Sequence, residues 1–284
     1  MNYLLYNPNA NNGLTMKDLQ DIKNTLLNQE YKEINLLEIT DYQELVSAFL
    51  PEDTIYIIGG DGTLNKFLNH IKKLVIPGEI YYYPAGTGND FMHDVDEEGK
   101  LYRIRLNDYI DKLPVVTVNG KEYSFLNGIG FGIDGYCCEE GDRLKAANPN
   151  KKINYTSIAI KGLFYKYKPR NAKITVDGVT KEYKKVWLAP TMFGRYYGGG
   201  MKVAPDQDRN NIEHTVSSVV MYGTGKLKTL IRFPKIFTGE HVKYTDMVEI
   251  YKGHEIKVEF DKPCALQVDG ETILNVTEYS VRYN

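Results

Sequence analysis

Ile55-Tyr56-Ile57-Ile58-Gly59-Gly60-Asp61-Gly62-Thr63-Leu64-Asn65 carries more functional information than any other stretch of this chain. Four residues of strand character, Ile55 to Ile58, run into Gly59-Gly60-Asp61-Gly62, and from Thr63 to Ile71 the pattern is helical. A strand that ends in a glycine turn and feeds a helix start is a place to bind phosphate. The first-turn N–H groups have no partner within the helix, and the macrodipole favours an anion there. Glycine lets the backbone approach a ligand closely, because no Cβ intervenes. The Asp61 carboxylate would repel a bare phosphate, which implies a bridging cation such as Mg²⁺. Taken alone, the stretch also reads as an ordinary βα turn with Thr63 as N-cap.

A second segment, Glu79-Ile80-Tyr81-Tyr82-Tyr83-Pro84-Ala85-Gly86-Thr87-Gly88-Asn89-Asp90, repeats the design. A β-rich run ends in a glycine turn that carries a hydroxyl and a carboxylate. Ligands of an open parallel sheet sit outside the carboxyl ends of its strands, so both turns are expected to face one crevice. Asn7, Thr40, Asn65 and Thr87 are polar residues at strand-to-helix ends, expected to reach phosphate or ribose. Asp61, Asp90 and Asp134 are three carboxylates at that crevice, expected to hold Mg²⁺ directly or through water.

The surrounding pattern predicts an α/β unit followed by a β unit. Tyr3–Asn7 is strand-like, Thr15–Leu27 has helical spacing, Glu33–Thr40 returns to strand, and Asp41–Phe49 is a short helix stopped by Pro51. That alternation predicts a parallel, doubly wound sheet. Past Leu113-Pro114 the character changes to hairpins. Val115–Val118 and Glu122–Leu126 flank Asn119-Gly120, Lys173–Val176 and Thr180–Leu188 flank Asp177-Gly178, and Ile256–Phe260 and Ala265–Val268 precede Asp269-Gly270. This half is expected to be an antiparallel sandwich.

Composition narrows the class. The 284 residues carry a net charge of −2, with 42% hydrophobic and 25% charged residues, which are ordinary globular values. No apolar run approaches the roughly 18 residues of a membrane span. The first residues lack the basic and apolar regions of a signal peptide, and three cysteines make neither a disulfide framework nor a metal spacing. The chain is read as soluble and cytoplasmic. The five histidines show no metal-ligand spacing, and Thr229–His241 is read as core in preference to the lining of an acyl-chain cleft.

The pair Gly59-Gly60-Asp61-Gly62-Thr63 and Pro84-Ala85-Gly86-Thr87-Gly88-Asn89-Asp90 resembles the signature of the diacylglycerol kinase-type lipid kinases. That family includes bacterial diacylglycerol and phosphatidylglycerol kinases and the sphingosine and ceramide kinases. The first motif is shared with NAD kinases and, loosely, phosphofructokinases, whereas the second leans to the lipid branch. Asn7-Pro8, Gly130-Phe131-Gly132-Ile133-Asp134, Tyr197-Gly198-Gly199-Gly200-Met201 and Asp269-Gly270-Glu271 extend the match over nearly the whole chain.

The resemblance implies an NAD kinase/phosphofructokinase-like nucleotide-binding domain over 1–113 and a β-sandwich lipid-substrate domain over 114–274, with 275–284 returning to the first. It implies a kinase using ATP and Mg²⁺, with the nucleotide between the domains. Asn7, Pro8, Thr40, Gly59, Gly60, Asp61, Gly62, Thr63, Asn65, Gly86, Thr87, Gly88, Asn89 and Asp90 are then the nucleotide-binding residues. Glu271 is implied as general base toward a lipid hydroxyl, with Asp134 beside it. The residue pattern alone reads Asp269-Gly270 as a type I′ hairpin turn, and Val176-Asp177-Gly178-Val179 has the same turn without a glutamate. Many bacterial relatives hold a structural Mg²⁺ through an Asp-Gly beyond the Gly-Gly-Gly segment. Here Asn211-Ile212 stands in that place, which leaves Asp208, Asn211 and Glu213 as the candidate ligands.

One feature owes nothing to resemblance. From Arg143 to Val176 there is no acidic residue and there are nine basic ones, interleaved with aromatic and aliphatic residues. Such a stretch suits an anionic membrane surface, where each Lys or Arg adds about 1 kcal/mol, and it equally suits a helix with a solvated basic face. No nucleic-acid-binding motif accompanies it. The acceptor lipid (diacylglycerol, phosphatidylglycerol, a sphingoid base or undecaprenol), the identity of the nucleotide and a homodimer all stay open. An NAD kinase-like enzyme and a non-catalytic nucleotide- or lipid-binding homologue are the alternatives.

Overall fold

The computed structural model describes residues 1–10, 15–26, 29–86, 88–110, 113–148, 153 and 155–283. The chain divides into two compact units, Met1–Leu113 and Pro114–Asn284.

In the first unit strands and helices alternate: β1 (Asn2–Tyr6), α1 (Thr15–Thr25), β2 (Tyr31–Asn35), α2 (Tyr42–Ser47), β3 (Thr54–Gly59), α3 (Asp61–Ile71), β4 (Glu79–Pro84), α4 (Asp90–Val95) and β5 (Ile104–Arg105). The sheet order is β2-β1-β3-β4-β5, parallel except for the last pair. From β1 the chain winds first to β2 on one side and then to β3 on the other, so the carboxyl ends of β1 and β3 form the topological switch point. Leu4, Leu5, Ile57 and Ile58 are completely buried, as consecutive residues are when both faces of a parallel sheet are covered. On one face, Leu19, Ile22 and Leu26 pack against Leu4, Tyr56 and Ile58.

Two boundaries differ from expectation. Strand β2 ends at Asn35, five residues before Thr40, because the Asn35 side chain accepts the Leu37 N–H at 3.0 Å and turns the chain. Thr40 is therefore an exposed residue beyond that turn. Helix α3 starts at Asp61 with Gly60 as N-cap, so Thr63 is its third residue and not its cap. The expected helical residue Leu27 lies outside the described residues.

The second unit contains β6 (Val115–Val118), β7 (Lys121–Ser124), β8 (Gly128–Gly132), α5 (Ile133–Ala147), α6 (Tyr155–Lys161), β9 (Arg170–Val176), β10 (Val179–Val186), β11 (Leu188–Met192), β12 (Tyr196–Tyr197), β13 (Met201–Lys202), β14 (Val216–Met221), α7 (Lys226–Arg232), β15 (Val248–Gly253), β16 (Glu255–Val268) and β17 (Glu271–Arg282). Apart from the β12–β13 pair, all its strands join one antiparallel sheet in the order β15-β14-β11-β8-β16-β17-β6-β7, with β9 and β10 branching from β16. The branch has a local cause. Ile256–Phe260 pairs with β9 and Leu266–Val268 with β8, and the register shifts between these two segments, around Pro263. The two expected short strands are thus the two halves of one bent strand.

The ends of the branches meet again. The Glu249 carboxylate of β15 accepts hydrogen bonds from Lys181 and Tyr183 of β10 and from Tyr222 and Tyr251. Burial alone would raise its pKa, yet these donors hold it down to about 2. The core over the sheet gathers Ile133, Ile158, Leu163, Trp187, Phe233 and Ile236, so Thr229–His241 supplies core residues. Residues 275–282 continue β17, paired to β16 and β6. No helix among the described residues is long and apolar enough to cross a membrane.

Candidate active site

At the switch point the two glycine turns of the first unit lie backbone against backbone. A Cβ on Gly86 would stand 2.5 Å from the Gly60 Cα, and one on Gly60 would stand 3.1 Å from the Gly86 Cα. The Ala85 N–H donates to the Gly59 carbonyl at 2.8 Å. Asn7, at the end of β1, joins them: its N–H donates to the Ile58 carbonyl at 3.3 Å and its side-chain amide to the Thr63 hydroxyl at 3.1 Å. Pro8 comes next, in the turn after β1. Asn7, Gly59, Gly60, Thr63 and Gly86 are therefore gathered around the start of α3, whose N-cap is Gly60 and supplies no side-chain cap.

Asp61 does something the sequence did not disclose. Its carboxylate accepts the N–H groups of Asp90 at 2.9 Å and Phe91 at 3.0 Å, so the first residue of α3 caps α4. This gives its negative charge a partner without a cation. Asn89, with φ of 51°, clamps Gly86 from both sides, accepting its N–H at 3.0 Å and donating to its carbonyl at 3.1 Å. Asp90 is buried as the first residue of α4. Beneath both turns, burial and then the Asp61 and Asp90 carboxylates push the Tyr82 phenol well above its ordinary pKa. Of the remaining expected residues here, Asn65 is buried on α3 and accepts a side-chain hydrogen bond from Asn69 at 3.1 Å. Gly88 is half-buried, and Thr87 lies outside the described residues.

In the second unit α5 packs on β16 and β17. Asp134 sits in the first turn of α5, 6% exposed, and neither carboxylate oxygen has a well-formed hydrogen bond. Burial pushes its pKa up to about 6, only partly offset by the nearby Gly135 N–H, Tyr197 hydroxyl and Gln267 amide. Two turns further on, Asp142 accepts the Thr272 hydroxyl at 2.6 Å, next to Glu271. Cys138, between them on α5, registers both sides: burial first, then the Asp134, Asp142 and Glu271 carboxylates, push its thiol up to about 12. Glu271 itself is exposed at the start of β17.

The turn before Glu271 is braced by residues far away in sequence. Asp269 accepts the N–H groups of Leu126 at 2.5 Å, Asn127 at 2.8 Å and Gly128 at 2.9 Å, and Gln267 accepts the Gly270 N–H at 2.9 Å. Asp269 and Gln267 were missed as site residues. Their only sequence signal was adjacency to Gly270-Glu271, whose turn reading already accounted for Asp269.

The metal expectations fare differently. Among the described residues no three His, Cys, Asp or Glu side chains stand together as a metal-binding group. At the place expected for a structural Mg²⁺, Asn211 takes part in an amide clasp. Asn211 donates to the Asp208 and Thr215 carbonyls and accepts the Thr215 N–H at 2.8 Å and hydroxyl at 3.1 Å. An aspartate lacks the N–H₂ donors that this arrangement uses. Asp208 and Glu213 are exposed.

Residues 2–112 match the family model of the diacylglycerol kinase catalytic domain, and residues 127–280 match that of the YegS C-terminal NAD kinase beta sandwich-like domain. A Bacillus subtilis (strain 168) protein named "Putative lipid kinase YtlR" is 24% identical over 302 residues, covering 98% of this chain and 94% of its own. A diacylglycerol kinase of Mycobacterium tuberculosis is 24% identical over 269 residues, covering 90% of this chain and 84% of its own. A solved diacylglycerol kinase structure from Bacillus anthracis str. Sterne shares the fold, with a TM-score of 0.62 at 20% identity over 100% of this chain and 96% of that one.

Proposed function

The chain belongs to the family of bacterial diacylglycerol and lipid kinases, and from that premise we propose that it moves the γ-phosphoryl group of ATP to the hydroxyl of a diacylglycerol-like lipid. The observation that carries this reading is the backbone-to-backbone stacking of the two glycine turns beside the Gly60-led start of α3. Gly59 to Thr63 and Gly86 to Asn89, with Asn7 and Pro8 alongside, would hold the nucleotide phosphates through backbone N–H groups. Thr40 stands exposed past the β2 turn and has the weakest claim to contact nucleotide.

In the transfer step the lipid hydroxyl oxygen attacks the γ-phosphorus and the bond to the β–γ bridging oxygen breaks. ADP leaves, and the hydroxyl proton passes to the Glu271 carboxylate. Little basicity is required of Glu271, because in a loose transition state the proton leaves late. Asp269 fixes the turn that presents this glutamate, through its bonds to Leu126, Asn127 and Gly128. Mg²⁺ fits Asp134 better than Asp61, because the Asp134 oxygens are buried without a well-formed hydrogen bond, whereas both Asp61 oxygens accept backbone N–H groups. Bound there, the ion would supply charge neutralisation on the phosphates.

A lipid acceptor also calls for access to a bilayer. Tyr165 and Ile160 are exposed within the acid-free stretch 143–176, among its lysines, and would rest on an anionic surface. The test is to incubate the protein with Mg²⁺, labelled ATP and mixed micelles carrying diacylglycerol, phosphatidylglycerol, a sphingoid base or undecaprenol, with NAD in parallel. Label in a lipid, diacylglycerol foremost, is the expected outcome. Label in NAD would overturn the acceptor assignment, and no labelled product alongside intact nucleotide binding would make the chain a binding protein.

A further inference from the structure

The second unit holds a cavity of about 320 Å³ that the transfer chemistry does not use. Lys166, Lys168 and Arg170 line it from the segment that enters β9, Glu139 from α5, and Cys264 from the bend of β16. Three cations therefore face one carboxylate. This volume lies at the small end of ligand pockets, enough for a phosphate ester carrying a few carbons.

Two buried groups in its wall point to what it takes. The Arg170 Nε and the Tyr167 hydroxyl are both buried without a hydrogen-bond partner among the described residues. Tyr167 is 6% exposed, and its hydroxyl lies within electrostatic reach of Cys264 and Arg170, both lining the same cavity, and also of the Asp134 and Asp261 carboxylates. Buried donors of this kind are rare, and an unmade bond costs about 1–3 kcal/mol, so each calls for an acceptor that the chain does not supply. The Arg170 Nε only donates and the Tyr167 hydroxyl can donate, so a carbonyl or an anion satisfies both, whereas a cation could satisfy the hydroxyl alone. A guanidinium beside a hydroxyl, flanked by two ammonium groups, matches the several oxygens of a phosphate and its charge.

We infer that this cavity is a binding site for a phosphate ester, held by Arg170 and Tyr167 with Lys166 and Lys168 at its rim. A phospholipid headgroup and a small soluble ester share this chemistry. The site would make the protein responsive to an anionic ligand that is neither its nucleotide nor, if the acceptor is diacylglycerol, its acceptor. It stands or falls independently of the kinase reading, because its test reads binding and not turnover.

The test is calorimetric titration of the full chain with glycerol 3-phosphate and, separately, with monomeric dihexanoyl phosphatidylglycerol, using dihexanoylglycerol as the phosphate-free control. The variants are Arg170→Gln and Tyr167→Phe, with Lys73→Gln, on the first unit, as a charge-matched control. The single tryptophan, Trp187, has its ring 6.1 Å from that of Tyr167 and gives a second readout by fluorescence. Saturable binding of either phosphate compound that weakens at least tenfold in Arg170→Gln and severalfold in Tyr167→Phe, but not in Lys73→Gln, is the expected result. Binding of phosphatidylglycerol alone assigns the lipid source, and binding of glycerol 3-phosphate as well assigns the ester itself. No saturable binding of either compound, or binding equal in wild type and both variants, would overturn the inference. Should Arg170→Gln fail to fold, Tyr167→Phe decides it, since that change removes one buried oxygen and nothing else.

Discussion

In the first unit Gly86 has no room for a Cβ and Gly60 only a tight fit, whereas Gly178 and Gly270 in the second have nothing within 4 Å of one. The second pair needs glycine for its backbone, with φ of 82° and 88° after Asp177 and Asp269 at 46° each. Those are type I′ turns, in which the geometry is local and the surroundings are open. In the first pair the demand comes from elsewhere in the chain, because each glycine makes space for the other. A glycine motif can thus mark either a close approach or a turn, and only the former builds the phosphate cradle. The two Asp-Gly turns differ from each other in the next residue: Val179 in one, Glu271 beside the Asp134 helix in the other.

The sharpest way to break this comparison is Gly86→Ala. The added methyl meets the Gly60 Cα at 2.5 Å and the Asn89 Oδ1 at 2.7 Å, and neither can yield without separating the turns. A loss of about 3 kcal/mol or more in denaturant unfolding and at least a hundredfold loss of nucleotide affinity are expected. Next comes Asp269→Ala, which strands three buried N–H groups and is expected to cost about 3 kcal/mol. Asp177→Ala frees the N–H groups of His254 and Glu255 and the His254 ring at an exposed turn, and about 1 kcal/mol is expected. If the two aspartates cost the same, the bracing role of Asp269 is wrong.

Asp134→Asn sharpens the contrast through pH. Burial raises the Asp134 pKa to about 6 in the folded metal-free protein, from 3.8, so the native state binds more protons than the unfolded state between about pH 4 and 6. Wild-type stability contributed by this group therefore falls as pH rises through that window. The variant is expected to exceed wild type by about 2–3 kcal/mol at pH 8 and by nothing below pH 4, measured by urea unfolding across pH. The smallest effects belong to Gly270→Ala and Gly178→Ala, each expected to cost about 1 kcal/mol by backbone strain alone, and equally.

The local parts of this molecule were legible in its sequence. Strand, glycine turn and helix succeed one another at 55–71 and 79–95, and Asn119-Gly120, Asp177-Gly178 and Asp269-Gly270 adopt the turns their residues demand. The parts that needed partners distant in sequence were not. The capping of α4 by Asp61 was hidden because the N–H groups it accepts lie 29 and 30 residues away. Asp269 looked like turn chemistry alone, with its partners 141 to 143 residues upstream. Asn211 was read as a weakened ligand, and its clasp on Thr215 depends on a loop conformation that spacing does not encode. Ile256–Phe260 and Ala265–Val268 read as two strands, whereas they are one strand that bends and branches between them.

The division between a turn and the residue it presents is tested most directly by Glu271→Gln. Lipid phosphorylation in mixed micelles, nucleotide affinity and unfolding should be measured on the same preparation. Nucleotide affinity within twofold of wild type, unfolding within about 0.5 kcal/mol, and transfer reduced by about 10²–10⁴-fold are expected. Transfer at the wild-type rate would contradict the role given to Glu271, and the search for the base would pass to Asp134.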